Sequence, residues 1–245
     1  MDESSLTISV VIPVYNEARH INACLSAIQN QTHPVDEIIV VDNNCTDDTI
    51  RRAKQHTGVS IVAESRQGIT FARTAGFDSA KSEIIARIDA DTIVSPDWAE
   101  IIRREFSVRT GNPVAAIAGG ASIQEISPKE KFWMSCYYRA FRFWHERSIG
   151  VSPMLYGFNS ALKREAWQEI REQVHLGDNR FSEDVDLTIA LLKTGARIRR
   201  SEKLMVKCHL FRSFDSKKLK QYYQTDGHTL NAHRYGNTKR WATLD

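Results

Sequence analysis

Four short runs of apolar residues mark the first hundred positions: ISVVIPVY (8–15), EIIVVDN (37–43), SIVAES (60–65) and EIIARIDAD (83–91), each of strand length. Between them the period changes. Ile21, Cys24, Leu25 and Ile28 recur at the spacing of one helix face, TDDTIRRAKQH places Thr46 and acids at the start of a second helix, and residues 68–80 form a third. Alternation of this kind predicts an α/β fold, with a mostly parallel central sheet, helices on both of its faces and right-handed crossovers. Ligands of such sheets bind beyond the carboxyl ends of the strands. Three strands end there in polar residues, namely Tyr15, Asn16 and Glu17, then Asp42 and Asn43, then Asp89 and Asp91. That edge is the candidate site.

Beyond a helix expected near Pro96 the pattern changes. VAAIAGGASI (114–123) reads as a strand, KFWMSCYYRAFRFWHER (131–147) as a helix, and LYGFNSALKRE (155–165) as a strand leading into a helix. FSEDVDLTIALLKTG (181–195) reads as a helix with acids in its first turn and Gly195 at its end, and KLMVKCH as a late strand closing on His209. There is no linker-like tract and no internal repeat, so residues 1–245 are expected to form one domain.

Composition narrows the classes. With 33 Lys and Arg against 30 Asp and Glu, the net charge of +3 gives no ground for a nucleic-acid partner. No apolar run approaches the roughly 20 residues of a membrane-spanning helix. The opening MDESSLT lacks a secretory pattern, so the expected location is the cytoplasm. Cys24, Cys45, Cys136 and Cys208 are widely spaced, without a CxxC pair, and are expected to be reduced structural thiols.

Asp89 and Asp91 stand two residues apart where a strand enters a loop, so both can reach outward and repel unless a cation sits between them. A hard divalent ion takes such oxygen ligands, together with substrate phosphates; the plainer reading is a loop of solvated acids. Neither GxxxxGK[ST] nor a GxGxxG after the first strand is present, which disfavours a P-loop or a dinucleotide fingerprint.

PVYNE (13–17), VVDNNCTDDT (40–49), GITFARTAGFDSAKSEII (68–85), DADT (89–92) and SEDVDL (182–187), in this order and spacing, resemble the family 2 inverting glycosyltransferases of the GT-A fold. The resemblance covers roughly residues 8–210. It implies a Rossmann-like GT-A domain, a nucleotide-diphospho-sugar donor (UDP-sugar favoured), Mn²⁺ or Mg²⁺, a saccharide or lipid-linked acceptor, and inversion at the anomeric carbon. Residues from about 8 to 125 would then bind the nucleotide-sugar, and those from about 126 to 245 the acceptor, with a helical C-terminal tail.

Site residues carry over by position. Pro13, Tyr15 and Glu17 match the motif that lines the nucleoside pocket, and Asp42 matches the acid that recognises the base. The family often has a second Asp at the next position, where this chain has Asn43. Arg66, Gly68 and Arg73 fall where the family contacts the nucleotide, although Arg73 suits a structural ion pair equally well. Asp89 matches the acid near ribose and metal, Ala90 a backbone approach to the nucleotide, and Asp91 the direct metal ligand. Glu183 and Asp184 match the acidic pair that supplies catalysis, with Asp184 as the base; Asp186 is expected to be an acid serving the helix dipole. Asn159 and Ser160 suit hydroxyl contacts and a strand-end turn equally well, while His209 is a candidate metal ligand and Arg212 a candidate diphosphate contact. Arg87, a charge inside an apolar strand, has no assigned role.

Trp133, Tyr137, Phe141 and Trp144 recur at helical spacing among Lys129, Lys131, Arg139, Arg142 and Arg147. This mixture suits core packing, and it also suits an interfacial helix that brings 129–147 to the inner face of an anionic membrane. A sugar-phosphate nucleotidyltransferase is the competing enzyme, but it would place a Gly-rich loop after the first strand, where PVYNE has none. A catalytically silent nucleotide-sugar-binding protein would be expected to lack Asp91 or Asp184, and both are present.

Overall fold

The computed structural model describes residues 6–108, 113–123, 128–208 and 216–236. The strands of the first half of the chain are β1 (Ile8–Val14), β2 (Glu37–Asp42), β3 (Val59–Ala63), β4 (Ile84–Arg87) and the short β5 (Ile93–Val94), and the helices between and after them are α1 (Ile21–Gln29), α2 (Thr49–Ala53), α3 (Ile69–Ser79) and α4 (Trp98–Ser107). They are followed by β6 (Val114–Ile123), α5 (Pro128–Ile149), β7 (Ser160–Lys163), α6 (Arg164–Ile170), α7 (Glu183–Lys193), β8 (Arg197–Cys208) and α8 (Ser216–His233). Among the described residues the strands form one sheet in the order β3-β2-β1-β4-β7-β6-β8-β5.

Every residue of β1 is buried, as a strand covered on both faces requires. Alternate residues of β1 serve different layers. Ile8, Val10 and Ile12 pack with Ile21, Cys24, Leu25 and Ile28 of α1 and with α4, whereas Val11 joins Ile39, Val41, Phe77, Trp167 and Leu191 beneath α3, α6 and α7. Gly76 lets α3 lie close on the sheet: a Cβ there would stand 2.3 Å from Val11 Cγ1 and 2.8 Å from Val41 Cγ2.

Strands β1 to β4 pair in parallel, as the alternating pattern predicts. β7 is antiparallel to both of its neighbours, β4 and β6, with Ser160 opposite Arg87 and Ala118. β5 is too short to read from sequence and pairs antiparallel with β8. β8 begins at Arg197, well before KLMVKCH, because its charged residues find partners: Arg199 pairs with Glu105 and Arg200 with Glu146. α2 starts at Thr49 and not at Thr46, since the N–H of Thr46 instead donates to Asn16 Oδ1 at 2.8 Å. α7 ends as expected, with Gly195 at φ +78° just beyond it. The four cysteines are free thiols. No helix of the described residues is long and apolar enough to cross a membrane.

Candidate active site

Local turns bring the strand ends together. Asn16 takes a left-handed φ of 55°, and its Oδ1 accepts the N–H groups of Thr46 at 2.8 Å and Asp47 at 3.3 Å. Glu17 is fixed by its own N–H, which donates to Thr49 Oγ1 at 2.8 Å. After β4 the chain turns at once: the N–H of Thr92 donates to the carbonyl of Asp89 at 3.1 Å. This turn is why two acids two residues apart both leave the sheet at the same edge.

Pro13, Tyr15, Glu17, Asp89, Ala90 and Asp91 line one side of a cavity of about 730 Å³. Glu183 and Asp184, in the first turn of α7, line it too, and α5 and α8 close it with Tyr138, Phe141, Arg142, His145, Tyr222 and Asp226. His145 Nε2 meets Asp226 Oδ2 at 2.8 Å and so joins those two helices. Asp184 is held by Gly157, whose N–H donates to its Oδ1 at 3.0 Å.

The cavity is electrostatically tense. Burial, and the like charges of Asp91, Glu183 and Glu17 against the partial relief of Arg87, push the Asp89 carboxyl up to about 6, an effect tempered by water because 45% of its side chain is exposed. Burial, followed by repulsion from Glu183, raises Asp184 above the usual carboxylate range. The guanidinium of Arg87, the one beside Asp89 among the described residues, is already engaged by Glu183. A hard-oxygen donor pair with surplus negative charge fits a divalent cation such as Mn²⁺ or Mg²⁺. Asp89 and Asp91 are the residues that would hold it.

Other sequence candidates lie elsewhere. Asp42 accepts the N–H of Cys45 at 2.9 Å and does not line the cavity. Asn43, where the family often has an acid, is buried and donates to the carbonyls of Glu64 and Arg66 while accepting the N–H of Gly68, so it organises the 64–68 turn. Arg66 forks onto Glu64 and stacks over Phe71, 4.4 Å from the ring centroid. Arg73 is fully buried, 3.4 Å from Glu183, which matches the structural ion pair. Asn159 and Ser160 are buried away from the cavity. Asn159 donates to the carbonyls of Gly120 and Leu204 and accepts from the Trp98 indole, so the hydroxyl-contact expectation gives way to a structural one. His209 and Arg212 lie outside the described residues.

Asp186 differs from its expected role at the helix dipole. It is buried and accepts from His175 Nδ1 and His233 Nε2, both at 2.7 Å, and although burial opposes its charge, these hydrogen bonds hold its carboxyl below the usual range. The two imidazoles and the carboxylate are the one group of its kind among the described residues that brings ligand atoms close enough for a metal. The ammonium of Lys193, however, stands 2.9 Å from His233 Nδ1, so that nitrogen accepts and Nε2 carries the proton. A metal-bound imidazole needs the opposite arrangement, an acceptor behind an N–H. The cluster therefore serves as a hydrogen-bonded clamp between α7, α8 and the segment before α7.

A mostly parallel α/β sheet thus brings the carboxylates of β4's turn and of α7's first turn into one cleft. The glycosyl transferase family 2 profile matches residues 9–171, and the chain belongs to that family. Glycosyltransferase AglE of Haloferax volcanii is 34% identical over 119 residues, which cover 46% of this chain and 38% of that protein. The glucosyl-dolichyl phosphate glucuronosyltransferase of the same organism is 26% identical over 181 residues, 67% of this chain and 55% of its own length. The chain thus spans well under two thirds of these curated relatives. In structure, the mannosyltransferase PcManGT of Pyrobaculum calidifontis, solved with GDP-Man and Mn²⁺, superposes with a TM-score of 0.68 at 23% identity, over 96% of this chain and 66% of that one. The fold is that of GT-A glycosyltransferases.

Proposed function

We propose that the chain is an inverting, metal-dependent glycosyltransferase that moves a sugar from a nucleotide-diphospho-sugar, with UDP-sugar favoured, to an acceptor hydroxyl. The observation that carries this reading is the position of Asp184 in one cavity with Asp89 and Asp91. Tyr15 offers its ring to the nucleoside, and Pro13 and Glu17 shape that end of the cleft. Asp89 and Asp91 would hold Mn²⁺ or Mg²⁺, which when bound would supply Lewis-acid neutralisation of the leaving diphosphate. Asp184 accepts the proton of the acceptor hydroxyl as its oxygen bonds to the anomeric carbon and the bond to the diphosphate breaks on the far face. The raised affinity of Asp184 for a proton suits that task near neutral pH.

The aromatic wall formed by α5 and α8 suits a saccharide or a lipid-linked acceptor, because sugar rings and prenyl chains both pack on aromatic faces. On the outward side of α5, Trp133 and Trp144 are 72% and 68% exposed, with Tyr137, Phe143, Arg139 and Arg147 nearby, and this face fits peripheral contact with the inner, cytoplasmic leaflet of a membrane. A matched relative named for a glucosyl-dolichyl phosphate substrate supports a lipid-linked acceptor. The decisive experiment is Asp184→Asn. Transfer should fall by about 10²–10⁴-fold while Mn²⁺-dependent nucleotide binding persists; transfer surviving near the wild-type rate would remove Asp184 from the base role.

A further inference from the structure

One guanidinium connects the carboxylates on the two walls of the cavity. Arg87, the last residue of β4, is 3% exposed, in a strand flanked by β1 and β7. Its Nη1 and Nη2 both donate to Glu183, Nη2 at 3.0 Å to Oε2. The same two nitrogens stand 3.9 Å from Asp184 Oδ1 and 3.8 Å from Asp89 Oδ1. Arg73 approaches Glu183 from α3. Gly157 closes the remaining side: its N–H holds Asp184, and a Cβ there would stand 2.5 Å from Arg87 Nη2.

Such a network is expensive to bury. Two guanidiniums and a carboxylate leave water, and the Nε atoms of Arg73 and Arg87 have no hydrogen-bond partner. Apolar residues of similar volume commonly hold elements together as well as a buried Arg–Glu–Arg triad does, or better. What apolar residues lack is a rigid planar fork with fixed distances to three carboxylates.

We propose that Arg87 is a positioning residue for sugar transfer, clamped by Glu183 so that its guanidinium fixes Asp89 and Asp184 relative to each other across the cleft. The inference rests on the reading of Asp89 as donor-side and Asp184 as acceptor-side. Glu183 is then the counter-charge of Arg87 and not a group that exchanges protons with substrate. The arrangement also biases Asp184, which faces Glu183, Asp89, Arg87 and the Gly157 N–H.

The test is the all-apolar triad, Arg73→Met with Arg87→Met and Glu183→Met, compared with wild type in thermal unfolding and in turnover of a panel of UDP- and GDP-sugars. It should melt within a few degrees of wild type, or higher, yet lose about 100-fold in kcat, the scale of loss that misplaced reacting groups produce. A triad variant that turns over at the wild-type rate would overturn the proposal. Should that variant fail to fold, Arg87→Lys carries the test, because it keeps the charge and loses the fork: kcat at least about tenfold lower with the donor KM little changed supports positioning, and unchanged kcat overturns it. If wild type turns over no donor in the panel, the glycosyltransferase reading itself falls; if only the variants behave as wild type, the positioning inference falls alone.

Discussion

Asp89 and Asp91 leave the sheet in one turn, where Thr92 N–H closes on the Asp89 carbonyl. Asp91→Ala is expected to weaken UDP binding in Mn²⁺ far more than in EDTA, as titration calorimetry in the two buffers would read; equal affinities in both would remove the metal from this site. Asp184 carries a different signature. Its folded-state carboxyl titrates above the unfolded value of about 3.9, so the stability it contributes is fully present below that value and is lost as pH rises through the raised one. Asp184→Asn never takes on the partly buried charge. Its melting temperature relative to wild type should therefore rise between pH 5 and pH 8, and a gap that stays flat would mean the carboxyl is not strained. At this scale the sequence was legible where a motif names a position, as at Tyr15, Asp89 and Asp184. It was silent where meaning depends on a distant partner: Arg87 and Glu183 are 96 positions apart, and only the folded chain places them together. Asn159 stayed open between a hydroxyl contact and a strand-end turn for a similar reason, since its three partners come from α4, β6 and β8.

Among the elements, α3 is held by the closeness of its approach. Gly76 faces β1 and β2 with no room for a methyl group, so Gly76→Ala should destabilise by about 1–3 kcal/mol, measured by urea unfolding, despite the higher helix propensity of alanine. A neutral or stabilising result would mean that α3 can shift outward without cost. The period of hydrophobic residues identified β1, β2, α1, β6 and α7 because each buries a regular face or run. The same signal failed for β5, with its two residues, and for the charged start of β8, where Arg199 and Arg200 stay in the sheet by pairing with Glu105 and Glu146. It also could not give the direction of β7, because alternation carries no information about whether a neighbour runs parallel or antiparallel.

Over the whole molecule α5 is a partition. Tyr138, Phe141, Arg142 and His145 face the cavity, while Trp133, Tyr137 and Trp144 face outward at helical spacing. If the outer face rests on lipid, the protein should float with vesicles rich in phosphatidylserine and sediment away from phosphatidylcholine vesicles, and Trp133→Ser with Trp144→Ser should reduce the anionic binding about tenfold or more. Equal flotation of the double variant would assign those residues to another partner. The sheet order carries a further consequence. β5 comes from the first half of the chain yet, among the described residues, pairs only with β8, and β7 from the second half is inserted beside β4. A chain divided near residue 125 would give one piece with β4 exposed along its length and another with β7 and β8 lacking their antiparallel neighbours. Neither piece would be a portable module, and donor and acceptor specificity could not be exchanged between such proteins by shuffling halves at that point; recombination would have to proceed loop by loop around an intact sheet.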